Sequence, residues 1–196
     1  MKTKIIYKGT AISRTTVKNN ILKVLSKALD TDRNDWYKEA HEWCATQAKE
    51  NNLPLAAVVG IVSATSPLKQ WDLNKRIASG FITKGTGGHT KNQMGKARKI
   101  LALNSPTDEQ VTDILRGPKT TNFYLDIMHY DNRTHVTVDR QAIQVAFGRI
   151  MSDKEMSMTE PQYNWFKECY IYTANMLGMR PSMLQSVTWL TWRRIK

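Results

Sequence analysis

A chain of 196 residues is long enough for one large domain or for two small helical lobes sharing a core. Its 41% hydrophobic content excludes wholesale disorder, and 29 Lys plus Arg against 17 Asp plus Glu (a formal net charge of +12) favour a polyanionic partner over an acidic one. Cys44 and Cys169 form no CxxC pair, which excludes a four-cysteine zinc site or iron–sulfur cluster and offers no disulfide framework.

Both thiols read as buried apolar residues of a reducing cytoplasm. Met1–Tyr7 is short for a signal peptide, with charge resuming at Lys8, and the longest apolar run, Leu53–Ala64, is too short to cross a bilayer. The expectation is a soluble, cytoplasmic, monomeric protein without membrane contact, with nucleic acid the partner its charge favours.

In chain order, an irregular start leads to Ser13, which is expected to cap a helix over Thr15–Leu29 with Val17, Ile21, Val24, Leu25 and Ala28 at helical spacing. Asp32 or Asn34 is placed to cap the next helix, whose apolar side carries Trp36, Ala40, Trp43, Cys44 and Gln47. The run Leu53–Ala64 is apolar all round and rich in alanine, so it predicts a helix central to the core, with a buried strand as the alternative. Pro54 suits its first turn and Ser66-Pro67 ends it. Trp71–Phe81 reads as amphipathic helix, and Lys84–Thr90 as a glycine-rich turn without the spacing of a phosphate-cradling loop.

Lys91–Leu103 then reads as a strongly basic helix with Met94, Ala97, Ile100 and Leu101 inward. Ser105-Pro106-Thr107-Asp108 starts a short helix to Leu115, and Gly117-Pro118 starts another through His129. A polar turn, His129–Thr134, leads to Val136–Asp139 and a helix to Met151; two aromatic-rich helices, Glu160–Met176 and Pro181–Arg194, complete the chain. The pattern amounts to about ten short helices with essentially no sheet.

The stretch Ile114–Ile143 carries the chemistry. Gly117-Pro118 makes a tight turn whose following helix directs free backbone N–H groups at it, an arrangement suited to phosphate. Lys119 stands in the first turn of that helix and Asp139 just before a later one. A Lys–Asp pair brought together by the fold can do nucleophilic work, the amine attacking and the carboxylate stabilising positive charge or moving a proton. The competing reading is a solvated lysine and a helix-capping aspartate.

Gly117-Pro-Lys119-Thr120-Thr-Asn122 followed by Val136-Thr-Val-Asp139-Arg140 resembles the signature of the helix-hairpin-helix DNA glycosylases, the endonuclease III-like superfamily, here without its iron–sulfur cluster. The likeness extends to Ala57–Ala64 with Thr65–Ala78, similar to that family's buried helix and the segment after it, and to Asn92–Leu101, similar to its basic helix. It thus spans roughly residues 53–150. The resemblance implies Lys119 as the Schiff-base lysine and Asp139 as the catalytic aspartate. Two features depart from the family pattern: Asp113–Gly117 supplies only the second glycine of the hairpin, and Gln141 stands near the usual histidine.

The implied fold is all-α, one glycosylase-like unit over 1–196 with a cleft between two lobes. One lobe is the hairpin-containing 53–131, the other 1–52 plus 136–196. The implied activity is flipping and excision of a modified or damaged base from double-stranded DNA, with or without lyase action at the abasic site. An amine nucleophile must be neutral to attack C1′, a state that burial or neighbouring cations favour. That chemistry demands no metal or cofactor.

Gly117, Thr120, Gln70, Trp71, Lys91, Lys96, Arg98, Lys99 and Arg140 are the candidate DNA contacts, Gln70 and Trp71 as wedges into the gap of a flipped base or, equally, as a polar cap and a surface aromatic. Asn122 is the candidate pocket residue, with helix packing as its alternative. His41, His89, His129 and His135 lack zinc-hydrolase or zinc-deaminase spacing. Trp165, Tyr172, Trp189 and Trp192 read as core rather than as a stacking platform. The rival functions are a base-modifying or hypermodified-pyrimidine-processing enzyme on the same fold, a non-catalytic DNA-binding module, and, less favoured, an RNA-binding helical protein.

Overall fold

The first residues of the chain form a hairpin rather than an irregular start. In the computed structural model, which describes residues 2–33 and 35–196, β1 (Lys4–Tyr7) pairs antiparallel with β2 (Thr10–Ser13), Ile5 opposite Ile12 and Tyr7 opposite Thr10. The link Lys8-Gly9 has positive φ at both residues, 49° and 81°, the twist that suits a two-residue turn. Each strand has only four residues and the turn lacks the usual Asn-Gly, so the alternation of Ile5, Tyr7 and Ile12 on one face was too short to read as sheet.

Eleven α-helices follow among the described residues, and the chain is mainly helical: α1 (Arg14–Leu25), α2 (Trp36–Glu50), α3 (Leu55–Thr65), α4 (Trp71–Lys84), α5 (Lys91–Leu101), α6 (Asp108–Leu115), α7 (Pro118–Met128), α8 (Arg140–Phe147), α9 (Asp153–Met156), α10 (Glu160–Met176) and α11 (Pro181–Ile195). Ser13 caps α1, accepting from Thr16 N at 3.0 Å. α1 ends four residues before the expected Leu29 in a tighter turn, Lys27 N and Ala28 N donating to Val24 O and Leu25 O, and α8 stops at Gly148, in the left-handed region at φ 65°, before the expected Met151. Asp32 does not cap α2: it closes a 3-10 turn, Asp30–Asp32, and its carboxylate turns back to Leu29 N. Asn34, the other proposed cap, lies outside the described residues. No helix among the described residues is long and apolar enough to cross a membrane.

The chain divides into two compact units, Met1–Tyr37 with Asp131–Lys196, and Lys38–Tyr130. The division falls inside α2 rather than after Asn52. From Lys38 onward, α2 is held by residues of the second unit: His41 Nδ1 lies 2.9 Å from Ile127 O, Ser79 Oγ donates to Gln47 Oε1 at 3.1 Å, and the Trp43 ring meets Trp71 edge-on at 5.8 Å.

In the 38–130 unit, α3 is the helix expected from its apolar run, and every residue from Ala56 to Thr65 is buried. It packs against α4, α5, α6 and α7. Gly60 makes the closest approach: a Cβ there would meet Val111 Cγ1 at 2.8 Å and Ile100 Cγ2 at 3.0 Å. Buried Asn74 of α4 accepts from Thr65 Oγ1 at 2.8 Å and donates to Val62 O at 3.1 Å, which satisfies both ends of its amide. Cys44 is buried, and that burial pushes its thiol up to about 12.

In the other unit, α1 packs on α8, α10 and α11 around an aromatic centre. The Tyr7, Phe147 and Phe166 rings lie 5.1 to 5.7 Å apart, Trp165 lies edge-on to Phe166, and Trp192 Nε1 donates to Gln144 Oε1 at 3.0 Å. Trp165 and Trp192 are core residues; Trp189 is half-buried, and Tyr172 is exposed beneath the Arg14 guanidinium.

Candidate nucleic-acid interface

The basic helix α5 is set by its pattern. Thr90 caps it, and Met94, Ala97 and Ile100 turn inward toward α3. That leaves Lys91, Arg98 and Lys99 exposed and Lys96 half-buried. α6 begins with a capping box, Thr107 with Gln110, and ends at Leu115. Only Arg116 and Gly117 link it to α7, at φ 41° and 124°, and Pro118 is the first residue of α7. Glycine suits the second of these because an L side chain rarely adopts that φ. The far ends of the two helices are stapled: Tyr124 Oη donates to Asp108 Oδ1 at 2.6 Å, and His129 Nε2 lies 2.6 Å from Asp108 Oδ2. Burial and the Asp108 carboxylate raise the Tyr124 phenol, which therefore stays a donor.

A groove of about 670 Å³ opens between α5 and the end of α6, lined by Lys91, Lys96, Lys99, Asp113, Ile114 and Arg116. Lys96 Nζ donates to the Leu115 carbonyl, and burial together with the Arg116 guanidinium lowers its pKa. Arg116 Nε donates to Asp113 O at 3.2 Å. The structure thus brings three of the expected basic contacts to one concavity and adds Arg116, which the sequence reading passed over. Its signal was an arginine directly before Gly-Pro.

The α7 N-terminus has no side-chain cap. Pro118 has no N–H, and the Thr120 hydroxyl is turned to Gly117 O at 3.2 Å. Lys119, at the second position, is exposed. Asn122 is buried within its own helix: its amide donates to Pro118 O at 2.7 Å, while Oδ1 has no hydrogen-bond partner.

The α3–α4 link carries Gln70, exposed at the N-cap position, and Trp71, half-buried with the Lys75 ammonium 5.6 Å from its ring centre. Leu68, not singled out from sequence, is 78% exposed at φ 61°. His89 ties this link to the start of α5: Thr90 N donates to His89 Nδ1 at 2.8 Å, which leaves Nε2 to donate to Pro67 O at 3.1 Å.

Asp139 belongs to the other unit. It is half-buried and caps α8, its carboxylate accepting from Ala142 N at 2.8 Å. Tyr170 is wholly buried and donates to Ala142 O at 3.0 Å; burial raises its phenol, and the Asp139 charge adds to that. The preceding Val136–Val138 is buried, with Val138 N donating to Tyr163 Oη at 3.0 Å. Arg140 pairs with Asp153 at 2.8 Å on the surface, which reduces the charge it offers a phosphate. Gln141 accepts from Lys196 Nζ at 3.0 Å. Among the described residues, no group of three or more His, Cys, Asp or Glu is arranged to hold a metal ion.

The sequence model of a family described as a family of unknown function, DUF7178, matches residues 3–196, and the chain belongs to that family. No curated protein and no solved structure matches it.

Proposed function

We propose that this member of a family of unknown function binds duplex DNA through its 38–130 unit and excises a single base, as a helix-hairpin-helix glycosylase does. The observation that carries the reading is the α6–α7 link. An uncapped helix N-terminus, a basic helix and a two-residue turn at positive φ meet beside one cationic groove. Backbone N–H donors and lysine or arginine cations together suit a phosphodiester without reading any base.

In this reading the duplex gives up one nucleotide, at roughly a few kcal/mol for unstacking and unpairing. The Asp139 carboxylate, already accepting from Ala142 N, stabilises positive charge on the sugar. The Lys119 amine forms the bond to C1′ as the bond to the base breaks, and the base leaves with a proton. The resulting amino sugar opens to an imine, which permits β-elimination of the 3′ phosphate or hydrolysis by water.

Borohydride trapping of the full-length protein on duplexes that each carry one modified base tests this. The expected result is a covalent adduct on one lesion class, lost in Lys119→Ala, with Asp139→Asn abolishing activity while duplex binding persists. Failure to bind duplex DNA overturns the reading. A non-catalytic duplex-binding module is the second reading, favoured by the exposure of Lys119, which leaves its amine in solvent. Duplex binding with no base released and no adduct across the panel establishes that one instead.

A further inference from the structure

Lys96 differs from the other cations of α5. Lys91, Arg98 and Lys99 are exposed, whereas Lys96 is half-buried and its Nζ donates to the carbonyl of Leu115. Leu115 is the last residue of α6, so that carbonyl lies at the negative end of the helix and lacks an intrahelical partner. Burial and the neighbouring Arg116 guanidinium favour the neutral amine. The amine lines a groove of about 670 Å³ whose other cations are Lys91, Lys99 and Arg116. A concavity that combines several cations with one partly desolvated amine has the chemistry to hold a phosphate and attack a carbonyl.

We propose that the groove between α5 and the α6–α7 link is a binding site for phosphate-bearing aldehydes, with Lys96 as the amine that captures them. Lys91, Lys99 and Arg116 hold the phosphate. The Lys96 Nζ lone pair attacks the aldehyde carbon, and the C=O electrons move to oxygen, which takes a proton as Nζ loses one. The hydroxyl then leaves as water with a second proton from solvent, and a C=N bond forms. Amine, aldehyde and one proton give a protonated imine and water, with no change of oxidation state. A protonated imine keeps an N–H for the Leu115 carbonyl. The site stands on the groove alone and does not depend on the glycosylase reading, whose amine is Lys119.

The test treats the full-length protein with pyridoxal 5′-phosphate or with pyridoxal, reduces with borohydride and maps the labelled lysines by mass spectrometry. The expected result is preferential labelling of Lys96, faster with the phosphate-bearing aldehyde by about tenfold, the factor one charge-assisted contact supplies. Excess inorganic pyrophosphate suppresses that labelling. Lys96→Arg, which can still donate to Leu115 O, loses the adduct. A Lys91→Gln, Lys99→Gln double variant keeps Lys96 reactive but loses the preference for phosphate. Labelling spread over the exposed lysines, equal labelling by the two aldehydes, or undiminished labelling of Lys96→Arg overturns the proposal. Should a variant fail to fold, the map and the aldehyde comparison on the unaltered protein decide the matter by themselves.

Discussion

The two units are held together by different means. The 38–130 unit is one continuous stretch built around α3, a helix of small apolar residues whose glycine lets α5 and α6 approach closely. The other unit joins both ends of the chain, and among the described residues its interior mixes aromatic rings with more buried polar groups than the 38–130 unit has, Gln144, Thr188, Thr191 and Asp32 among them. A contiguous unit specified by small residues is sensitive to added volume. A unit assembled from distant segments depends on directed contacts that fix which segments meet.

The largest effect that separates them is expected at Gly60. A valine there places carbon where Val111 and Ile100 already stand, and overpacking of this kind costs about 3 kcal/mol. Urea denaturation of Gly60→Val is expected to show a lowered midpoint with an unchanged slope. A loss below about 1 kcal/mol would mean that α5 and α6 can move apart, and the contrast in packing would be lost.

This difference also governs what was legible in the sequence. The helices of the 38–130 unit follow local signals: an apolar run for α3, Thr90 before α5, Thr107 with Gln110 before α6, Gly-Pro before α7. The cations of α5 were legible for the same reason, since a one-sided helix must show its polar face to something. Arg116 and Lys96 became a pair only through the α6–α7 turn, and no period announces a turn at φ 41°. In the other unit, β1 and β2 are too short to display alternation, and Tyr7 owes its burial to Phe147, Phe166 and the Glu155 carbonyl, all far along the chain. Asp32 read as a cap because its true partners, Thr191 and Arg194, lie near the other terminus.

Asp32 gives the next effect. Its Oδ2 accepts from Arg194 Nη2 at 2.6 Å, Leu29 N at 3.0 Å and Thr191 Oγ1 at 3.2 Å. The hydrogen bond from Arg194, followed by that from Leu29 N, outweighs burial and holds its pKa below the ordinary 3.8. A carboxylate with a lowered folded pKa contributes stability that is complete above its unfolded value and is lost as pH falls through the folded one. Asp32→Asn is therefore expected to cost about 1–3 kcal/mol at neutral pH, and less as the pH drops below about 3.8. Denaturation curves at pH 7 and pH 3 check both the size and the sign. A loss that does not shrink in acid would assign the effect to shape rather than charge, and the directed contact would no longer distinguish this unit.

The smallest effects compare one strained residue from each unit. Lys8 and Leu68 both sit in the left-handed region, at φ 49° and 61°, which costs a side chain roughly 1–2 kcal/mol. Lys8 has a local reason: it completes the turn between β1 and β2, and its Nζ donates to Ser157 Oγ at 2.9 Å. Leu68 is 78% exposed and so gains little burial, yet the His89 bond to Pro67 O steadies the backbone beside it. Under the proposed function, this exposed apolar side chain beside Gln70 and Trp71 would be a wedge against a base step. Glycine at either position is expected to raise the thermal midpoint, by a gain of up to about 1 kcal/mol. Only Leu68→Gly is expected to weaken duplex binding, by about tenfold if the side chain is buried against a base step. Fluorescence anisotropy with one labelled duplex measures both variants, and equal affinities would remove the 66–70 link from the proposed duplex contact.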